Sequence, residues 1–378
     1  MKVVQVLSSL YYDSAGPSYS VPGLARGLWE NGVDVEIYTR DPKPKREFPY
    51  PVKTFPSTLK RLTRLGCSVG LKRGLRKIAQ EADVIHSNGL WMMPCVYPAW
   101  AVRGTRCRLV VAPRGALAKW TIRKNRWIKC LFGWAFQYSA LRRVDMFHAT
   151  SVKEYEEIRA AGYRQPVVIL PIGMDLPVVE RPARKVGDMR KIVFFGRLHS
   201  VKKVDDLIMA WARVCDKMPD WCVEIAGPDF GVRRQLEELV ASHQIPRVKF
   251  VGEIKGMAKY EFLASADLYV LPSLTENFGI TIAEALACGT PVIASKGTPW
   301  RGVEDNQCGW WVENSPEAIA GAIMKAAALP RAQLMIMGQR GIKWIERDFS
   351  WVGVGQKMKD AYEWLLRGGA KPEWVRED

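Results

Sequence analysis

The chain has 378 residues, of which 48% are hydrophobic and 25% charged, with a formal net charge of +17. This length and composition rule out a disordered or collagen-like chain and a small disulfide scaffold, and they favour two globular domains. The charge is uneven: residues 1–178 carry 28 Lys and Arg against 13 Asp and Glu, and residues 179–378 carry 28 against 26. We therefore expect the first half to face an acidic partner.

Short strands alternate with helices along residues 1–178. Strands are predicted at 3–7, 33–38, 82–86, 108–112, 144–149 and 167–170. Helices are predicted at 21–31, at 126–141 and from Ser151, with Glu154 as its capping-box partner. Alternation of this kind builds a parallel, doubly wound sheet.

Residues 176–190 contain two prolines and mixed charges, which is typical of an interdomain linker. Strands are then predicted at 191–195, 222–226, 248–251, 268–271, 291–294 and 309–312, and helices at 204–217, 233–243, 257–264, 281–287, 316–328 and 331–367. We predict one α/β domain over 1–178, a second over 179–350, and a C-terminal helix over 351–378 that packs back on the first. Two such sheets would leave a cleft at the carboxyl ends of their strands.

The cysteines show no C-x-x-C pair and no zinc-type spacing with histidine, so reduced, mostly buried thiols are expected. The first apolar stretch is broken by Gln5, Ser8 and Ser9, which favours a buried strand over a signal peptide. No run reaches the roughly 20 apolar residues that span a bilayer. These features favour a cytoplasmic protein.

A loop between a predicted strand and a helix holds the first candidate site. The strand ends at Pro272 and the helix begins near Gly279, where free backbone N–H groups suit a phosphate. Glu276 lies in the loop and Glu284 in the helix, where carboxylates can accept hydrogen bonds from sugar hydroxyls. The alternative is that Glu276 is only a helix N-terminal charge and Glu284 a solvated residue.

A second candidate follows the strand at 191–195. Arg197 and Lys202 bracket a turn there and can both reach one anionic group. The alternative is two solvated cations. Gly16 follows the first strand and would let the backbone approach a ligand, but its segment lacks the G-x-G-x-x-G pattern, so this signal is weak.

Together these segments resemble, in the same order, the motifs of the retaining glycosyltransferases of family 4, which have the GT-B fold. Glu276 and Glu284 match the E-x7-E element, and the run from Glu284 to Ile293 matches E-A-L-A-x-G-x-P-V-I. The G-R-L-x-x-x-K element is matched from Gly196 to Lys202, and P-N-G-x-D from Pro171 to Asp175. The resemblance covers essentially the whole chain.

The resemblance implies two Rossmann-like domains facing a cleft and a UDP- or GDP-sugar as donor. The residues implied as catalytic are Arg197 and Lys202, which would neutralise the donor diphosphate, and Glu276, which would bind the transferred sugar. Glu284 would bind the ribose. The remaining implied donor contacts are the backbone at Asn277, Phe278, Gly279 and Ile280, the base-bordering Glu253 and Ile254, and Gly16 above the diphosphate. No cofactor is implied.

Catalysis without a metal and with retention of the anomeric configuration is also implied by the resemblance. A metal often neutralises the leaving diphosphate, but the chain contains no D-x-D sequence. In such enzymes the acceptor attacks from the face that the diphosphate leaves, and the diphosphate helps to deprotonate it. Cations at that diphosphate act where negative charge grows.

The chain departs from the family pattern at several positions. Where many members carry a histidine, this sequence has Arg114, which can donate to sugar or phosphate but cannot act as a base. His86 and Asn88 follow another strand and are further candidates, as is Asp13 for the acceptor side. Lys203 replaces a usual glycine and would add charge near the diphosphate, and Ile172 replaces a usual asparagine.

Two stretches of the first half are basic without any acid. Residues 59–77 and residues 119–143 each contain seven Lys and Arg, and the second also holds many aromatic residues. This pattern fits an anionic membrane surface, and the alternative is a solvated surface with core aromatics. In the resembling enzymes the first domain binds the acceptor, often a polyprenyl-diphosphate-linked sugar at the inner membrane face. A peripheral enzyme of bacterial surface polysaccharide biosynthesis, such as lipopolysaccharide or O-antigen, is therefore expected.

Two rival functions remain open at this point. Another GT-B enzyme, such as a sugar-nucleotide epimerase or a phosphorylase, would share much of the pattern. A basic nucleic-acid-binding protein would share the charge, although the charge is confined to one half and no nucleic-acid motif occurs. The nucleotide base, the sugar, the acceptor and the linkage are not fixed by these motifs.

Overall fold

The computed structural model describes residues 1–10, 16–40, 47–58, 65–118, 121–122, 126–182 and 187–378. The chain divides into two compact units, of which the first comprises Met1–Gly173 with Phe349–Asp378 and the second comprises Met174–Asp348. Each unit is an α/β structure with its own sheet, as the alternation of strands and helices predicts.

The strands are, in chain order, β1 Lys2–Leu7, β2 Asp34–Thr39, β3 Val52–Thr54, β4 Val84–Asn88, β5 Arg108–Ala112, β6 Met146–Ala149, β7 Val167–Ile169, β8 Arg190–Phe195, β9 Trp221–Ala226, β10 Val248–Gly252, β11 Leu268–Leu271, β12 Val292–Ser295, β13 Gly309–Val312 and β14 Val375–Arg376. The first sheet has the order β14-β7-β6-β5-β4-β1-β2-β3, and the second has the order β10-β9-β8-β11-β12-β13. Among these described strands, pairing is parallel except where β14 meets β7.

The helices are α1 Gly16–Glu30, α2 Val69–Ile78, α3 Met93–Ala101, α4 Arg126–Phe132, α5 Tyr138–Leu141, α6 Val152–Ala160, α7 Val204–Ala212, α8 Arg233–Ser242, α9 Met257–Ala264, α10 Ile280–Ala287, α11 Gly302–Asp305, α12 Pro316–Ala327, α13 Arg331–Phe349 and α14 Trp351–Arg367. A π-helical turn, Gly133–Gln137, joins α4 to α5, so residues 126–141 form one helical stretch. Ser200–Lys202 and Cys215–Lys217 form 3-10 turns.

Several elements differ from the sequence prediction for identifiable reasons. Helix α1 begins at Gly16 rather than Val21, because Pro17 lies in the first turn, where its missing N–H costs nothing. The sequence pattern over residues 59–77 predicts only a basic surface, whereas the structure has helix α2 there, capped by Ser68 and with its apolar face buried. The predicted helix over 331–367 is two helices, because Ser350 is extended and caps α14 through the N–H of Gly353.

The C-terminal helix α14 belongs to the first unit and packs along α1. The backbones of the two helices approach each other closely at two glycines. A Cβ added at Gly27 would lie 2.1 Å from the carbonyl oxygen of Trp351, and one added at Gly355 would meet the backbone of Gly27. The indole of Trp351 is buried and also covers Gly173, so the end of the first unit's main segment contacts the start of α14.

Apolar side chains fill both faces of each sheet, as expected for parallel strands covered by helices. The eight cysteines are all free thiols. Among the described helices, none alone has the length and apolar composition to cross a bilayer, while α12 and α13, bent by 111°, pass that test as a pair.

Candidate functional site

The order of strands in the second sheet reverses between β8 and β11. From β8 the chain continues to β9 and β10 on one side, and β11 to β13 lie on the other. Ligands of doubly wound sheets bind outside the carboxyl ends of the strands at such a switch point. The loop after β8 holds Arg197 and Lys202, and the loop after β11 holds Glu276.

Lys202 and Glu276 meet across this switch point. Lys202 ends the 3-10 turn, and its Nζ lies 2.5 Å from Glu276 Oε1, with the two side chains only 12% and 13% exposed. The N–H of Leu274 also donates to the carbonyl of Val201, at 2.9 Å, so the two loops are joined by backbone as well. Two of the three residues predicted as catalytic are therefore in direct contact.

The third, Arg197, is exposed on the same loop. Its guanidinium lies over the ring of Phe230, 5.4 Å from the ring centre. The position is fixed by backbone bonds of its neighbour: Leu198 donates to Pro228 and accepts from Phe230, both at 2.9 Å. Within the described part of the chain no carboxylate is paired with Arg197, so its charge can meet an anion.

The loops after β8 and β9 touch backbone to backbone at Gly227. This residue has a φ of +142°, and a Cβ there would lie 1.8 Å from the carbonyl oxygen of Gly196. Only glycine satisfies both constraints. Gly227 therefore sets the position of the Arg197 loop, although nothing in the sequence motifs distinguishes it.

Polar groups that the sequence motifs do not indicate hold the Glu276 loop in place. The carbonyl of Ser273 accepts from Ser295 Oγ at 2.5 Å and from Asn314 Nδ2 at 2.6 Å. Asn314 Oδ1 accepts from the N–H of Gly297, whose carbonyl in turn accepts from the N–H of Glu276 at 3.0 Å. The exposed carbonyls of a turn indicate that hydrogen-bond donors are needed nearby. Ser295 and Asn314 are 22 and 41 positions away from Ser273, so the sequence does not show that they are these donors.

The predicted donor contacts at Asn277, Phe278, Gly279 and Ile280 form the entry to helix α10. Gly279 caps the helix with a φ of +80°, a left-handed conformation that favours glycine. Phe278 is buried against Trp300, whose indole N–H donates to the Phe278 carbonyl. The first N–H groups of α10 are therefore presented at the carboxyl edge of the sheet, where they suit an anion.

Glu284 lies on α10 and is buried, so it is not a solvated surface residue. Its Oε1 accepts from Lys259 Nζ at 2.6 Å, and the two side chains are 7% and 20% exposed. Burial raises the pKa of the Glu284 carboxyl, and Lys259 opposes that rise. Lys259, on α9, is a partner that the motif did not reveal.

The loop after β10 carries the two predicted base-bordering residues. Glu253 is exposed and pairs with Lys255 at 3.1 Å, and Ile254 is half-buried. Gly252, which ends β10, accepts from the N–H of Gly227 at 2.7 Å, so this loop is linked to those after β9 and β8.

The conformation of Lys203 shows why the family pattern usually has a glycine at this position. It has a φ of +52°, the conformation for which the usual glycine is suited. Its ammonium pairs with Asp205 at 2.7 Å and with Asp206 at 3.2 Å, in the first turn of α7. Its added charge is therefore neutralised locally.

In the first unit, Asn88 and Arg114 form one hydrogen-bonded pair. Asn88 ends β4, beside the switch point between β1 and β4, and its Oδ1 accepts from Arg114 Nη2 at 2.9 Å. Arg114 has a φ of +57°, and burial lowers the pKa of its guanidinium to about 10, so it remains charged at neutral pH. Glu154 holds this turn by accepting from the N–H of Gly115 at 2.6 Å.

The sequence pattern predicts only a capping role for Glu154. Ser151 does cap α6, since its Oγ accepts from the N–H of Glu154. The Glu154 carboxylate, however, accepts from the N–H and hydroxyl of Thr150 rather than from the N–H of Ser151. Its second oxygen is thereby available for the Arg114 turn.

His86 is fully buried in a polar network rather than exposed. Its Nδ1 lies 2.7 Å from the hydroxyl of Tyr362 on α14 and 3.3 Å from Gln5 Nε2. The ring of His148 packs edge-on at 5.3 Å. Burial lowers the pKa of both imidazoles well below the usual value, with Arg114 adding to the effect. Both rings are therefore neutral near pH 7.

Gly16 is the first residue of α1, at the carboxyl end of β1, and a Cβ there would meet no atom within 4 Å. Asp13 lies outside the described residues. Among those residues, no three His, Cys, Asp or Glu side chains are grouped closely enough to hold a metal ion.

Two family models match the chain in the order of its two units. The model described as "Glycosyl transferase 4-like domain" matches residues 15–173, and "Glycosyl transferases group 1" matches residues 179–344. The chain belongs to glycosyltransferase family 4. The recognition made from the motifs is thereby confirmed.

Curated relatives of this family 4 chain include a GDP-mannose-dependent alpha-(1-6)-phosphatidylinositol dimannoside mannosyltransferase of Mycobacterium tuberculosis, 31% identical over 47% of each chain. A D-inositol 3-phosphate glycosyltransferase of Geodermatophilus obscurus is 26% identical over 87% of this chain and 80% of the relative. The alignment with the mycobacterial relative spans about half of that protein's length.

Solved structures agree on the fold. Sucrose-phosphate synthase of Thermosynechococcus elongatus has a TM-score of 0.77 at 20% identity, covering 97% of this chain and all of that one. Anabaena HepE in complex with UDP-glucose has a TM-score of 0.72 at 18% identity, covering 96% and 99%. The two-domain, Rossmann-like GT-B fold predicted from the sequence is confirmed.

Proposed function

We propose that this family 4 chain is a glycosyltransferase that moves a sugar from a UDP- or GDP-sugar to a glycan acceptor. The observation that carries the proposal is the Lys202–Glu276 pair at the switch point of the second sheet, with the exposed Arg197 on the same loop as Lys202. A cationic group, a carboxylate and the N–H groups of α10 suit a ligand that combines an anionic diphosphate with a polyol.

In the proposed reaction the bond between the anomeric carbon and the diphosphate oxygen breaks, and its electron pair goes to the diphosphate. The acceptor hydroxyl forms the new bond from the same face, and its proton passes to the leaving diphosphate. Arg197 and Lys202 stabilise the negative charge that develops, without a metal. Glu276 positions the sugar, and the configuration is retained.

Glu284 and the loop at Glu253 and Ile254 complete the proposed donor site. A buried carboxylate such as Glu284 has lost its hydrogen bonds to water, so it favours a ligand that donates hydrogen bonds to both of its oxygens. The two neighbouring hydroxyls of a ribose can do so. Lys259 pairs with that carboxylate and opposes the rise in its pKa that burial causes. Asn88 and Arg114, at the carboxyl edge of the first sheet, are the proposed contacts on the acceptor side.

Release of nucleoside diphosphate from a panel of UDP- and GDP-sugars tests the activity, with and without added glycan acceptors. We expect nucleoside diphosphate to be released from one sugar nucleotide of the panel and the release to increase when the acceptor is added. The glycosylated acceptor should then be found as the second product. The same panel in thermal unfolding would reveal the bound donor, since a ligand at 100 times its Kd stabilises by about 2.7 kcal/mol. Conversion of a sugar nucleotide without a glycosylated product would instead indicate an epimerase.

The acceptor is proposed to be a polyprenyl-diphosphate-linked glycan of bacterial surface polysaccharide synthesis, reached from the cytoplasmic face of the membrane. The helical stretch 126–141 supports this location. Its inner face holds buried Phe132, whereas Trp127, Ile128, Leu131 and Trp134 are 88%, 66%, 69% and 80% exposed on the other. Exposed tryptophans on a helix in a basic segment suit the boundary of an anionic bilayer.

Binding to vesicles containing phosphatidylglycerol tests this location. The double variant Trp127→Ser/Trp134→Ser should lose most vesicle binding while its release of nucleoside diphosphate from a soluble donor is unchanged. Trp29→Ser, which removes a half-exposed tryptophan from α1, is the matched control. Equal vesicle binding by the double variant and the control would contradict the location and leave the transfer activity unaffected.

A further inference from the structure

The first unit contains a cavity at the opposite edge of its sheet from Asn88 and Arg114. Its walls come from the segments that precede β1, β4, β5 and β6 and from the last turns of α14. The length of β4 separates this edge from Asn88 by about 16 Å, at 3.3 Å per residue. The cavity measures about 850 Å³, in the range of small-molecule sites.

Arginines dominate the walls of this cavity: Arg103, Arg106, Arg108, Arg143 and Arg367. All five are exposed to solvent. Arg108 is paired with Asp145, at 3.0 Å. In the described part of the chain, the side chains of the other four are paired with no carboxylate.

The carboxylates of the cavity are partly engaged by the fold itself. Asp145 Oδ2 accepts from the N–H of Leu109 at 2.7 Å, and Asp83 Oδ2 accepts from the N–H of Lys2 at 2.7 Å. Glu363, on α14, is the third acid in the walls. Five guanidinium groups against three carboxylates leave an excess of positive charge, concentrated on the four unpaired arginines.

We propose that this arginine cavity binds a ligand carrying two or more phosphate groups. Guanidinium groups match phosphate oxygens in paired hydrogen bonds, and several of them around one space repel each other until an anion enters. The arginines come from the turn after α3, the turn after α5 and the end of α14, and this spread around about 850 Å³ suits a chain of phosphates or a multiply phosphorylated headgroup.

The cavity is separate from the proposed donor site, which lies in the second unit. Its ligand would contact α14, whose Tyr362 bonds to His86 in the middle of β4. Binding would therefore hold α14 more firmly on the first unit. We expect the full-length protein to be stabilised by such a ligand in the absence of any sugar nucleotide.

Calorimetric titration with tripolyphosphate at constant ionic strength tests the cavity. We expect saturable 1:1 binding that Arg106→Gln/Arg143→Gln weakens at least 10-fold, because each variant residue loses charge-assisted hydrogen bonds. The matched control is Arg73→Gln/Arg76→Gln, which removes two exposed arginines from α2 in the same unit and should change the Kd less than 2-fold.

Vesicles containing a phosphatidylinositol bisphosphate distinguish the source of the phosphates. A lipid headgroup would be indicated if the wild type, but not the Arg106→Gln/Arg143→Gln variant, binds these vesicles and tripolyphosphate displaces it. Binding of tripolyphosphate alone would indicate a soluble ligand. Equal losses of tripolyphosphate affinity in the test and control variants, or no saturable binding to the wild type, would overturn the proposal. Release of nucleoside diphosphate by the same variants measures the transfer activity separately.

Discussion

Lys202 and Glu276 form a nearly buried ion pair that joins the loops after β8 and β11, at the point where the order of the second sheet reverses. An ammonium has three N–H donors, and the Glu276 contact uses one of them. The pair can therefore hold the lysine in place while its other donors bind a phosphate oxygen. This arrangement makes Lys202 the best single target for testing the site.

Replacing Lys202 with Ala should lower kcat for transfer by about 10²–10³-fold, the loss typical of one group that stabilises a developing oxyanion. Lys202→Arg should recover part of this loss. Lys203→Gly is the matched control, because Lys203 is paired with Asp205 and Asp206 and has a φ that suits glycine. Steady-state kinetics would contradict the assignment if Lys202→Ala and Lys203→Gly had similar kcat values.

The motifs predicted which residues lie at the site but not what holds them there. Arg197, Lys202 and Glu276 lie in loops that follow strands, and Glu284 lies in the helix after one of these loops; local sequence patterns indicate such positions well. Lys259, Asn314 and Gly227 act through contacts with residues at least 17 positions away, a separation that no local pattern encodes. Helix α2 was missed for a related reason: its buried face is short and its basic residues dominate the pattern.

Gly227→Ala should lower the free energy of unfolding by about 2–4 kcal/mol and weaken donor binding, because the new Cβ must push the backbone of Gly196 away. The displaced loop carries Arg197. Gly321→Ala, in α12, is the control: a Cβ there meets nothing within 4 Å, and alanine in a helix should add about 0.5–1 kcal/mol. Urea unfolding and donor titration measure both effects, and unchanged donor affinity in Gly227→Ala would contradict the role of this contact.

The buried histidines predict a loss of stability in mild acid. Burial holds the pKa of His86 and His148 well below 6.5 in the folded chain, so the unfolded chain binds more protons once the pH falls below about 6.5. Between pH 7.5 and 5.5 each histidine should reduce the free energy of unfolding by about 1.4 kcal/mol.

Urea unfolding at both pH values checks this expectation. His148→Gln should show a smaller difference between pH 7.5 and 5.5 than the wild type, whatever its absolute stability. His243→Gln, which changes an exposed histidine in the second unit, should keep the wild-type difference. Equal differences in all three proteins would mean that the buried imidazoles do not control this pH dependence.

The buried Glu284 of the Lys259–Glu284 pair predicts a contribution to stability with the opposite pH dependence, one that decreases as the pH rises. Burial raises the pKa of Glu284 in the folded chain, so the folded state keeps this proton above the usual carboxyl value of 4.5 and ionisation favours unfolding. The contribution of Glu284 to stability therefore falls as the pH rises through 4.5 toward its folded pKa. Glu284→Gln should remove this fall.

Lys259→Met removes the group that opposes the shift and leaves Glu284 buried without its partner. We expect the fall in stability to extend to higher pH, and the variant to be about 3 kcal/mol less stable than the wild type near neutral pH, as for a broken buried pair. Lys255→Met breaks the exposed pair with Glu253 and should cost less than about 1 kcal/mol at any pH. Since an ionised carboxylate accepts hydroxyl hydrogen bonds more strongly than its protonated form, Lys259→Met should also bind the donor more weakly as the pH is lowered. Donor affinity that is independent of pH in this variant would separate Glu284 from the donor site.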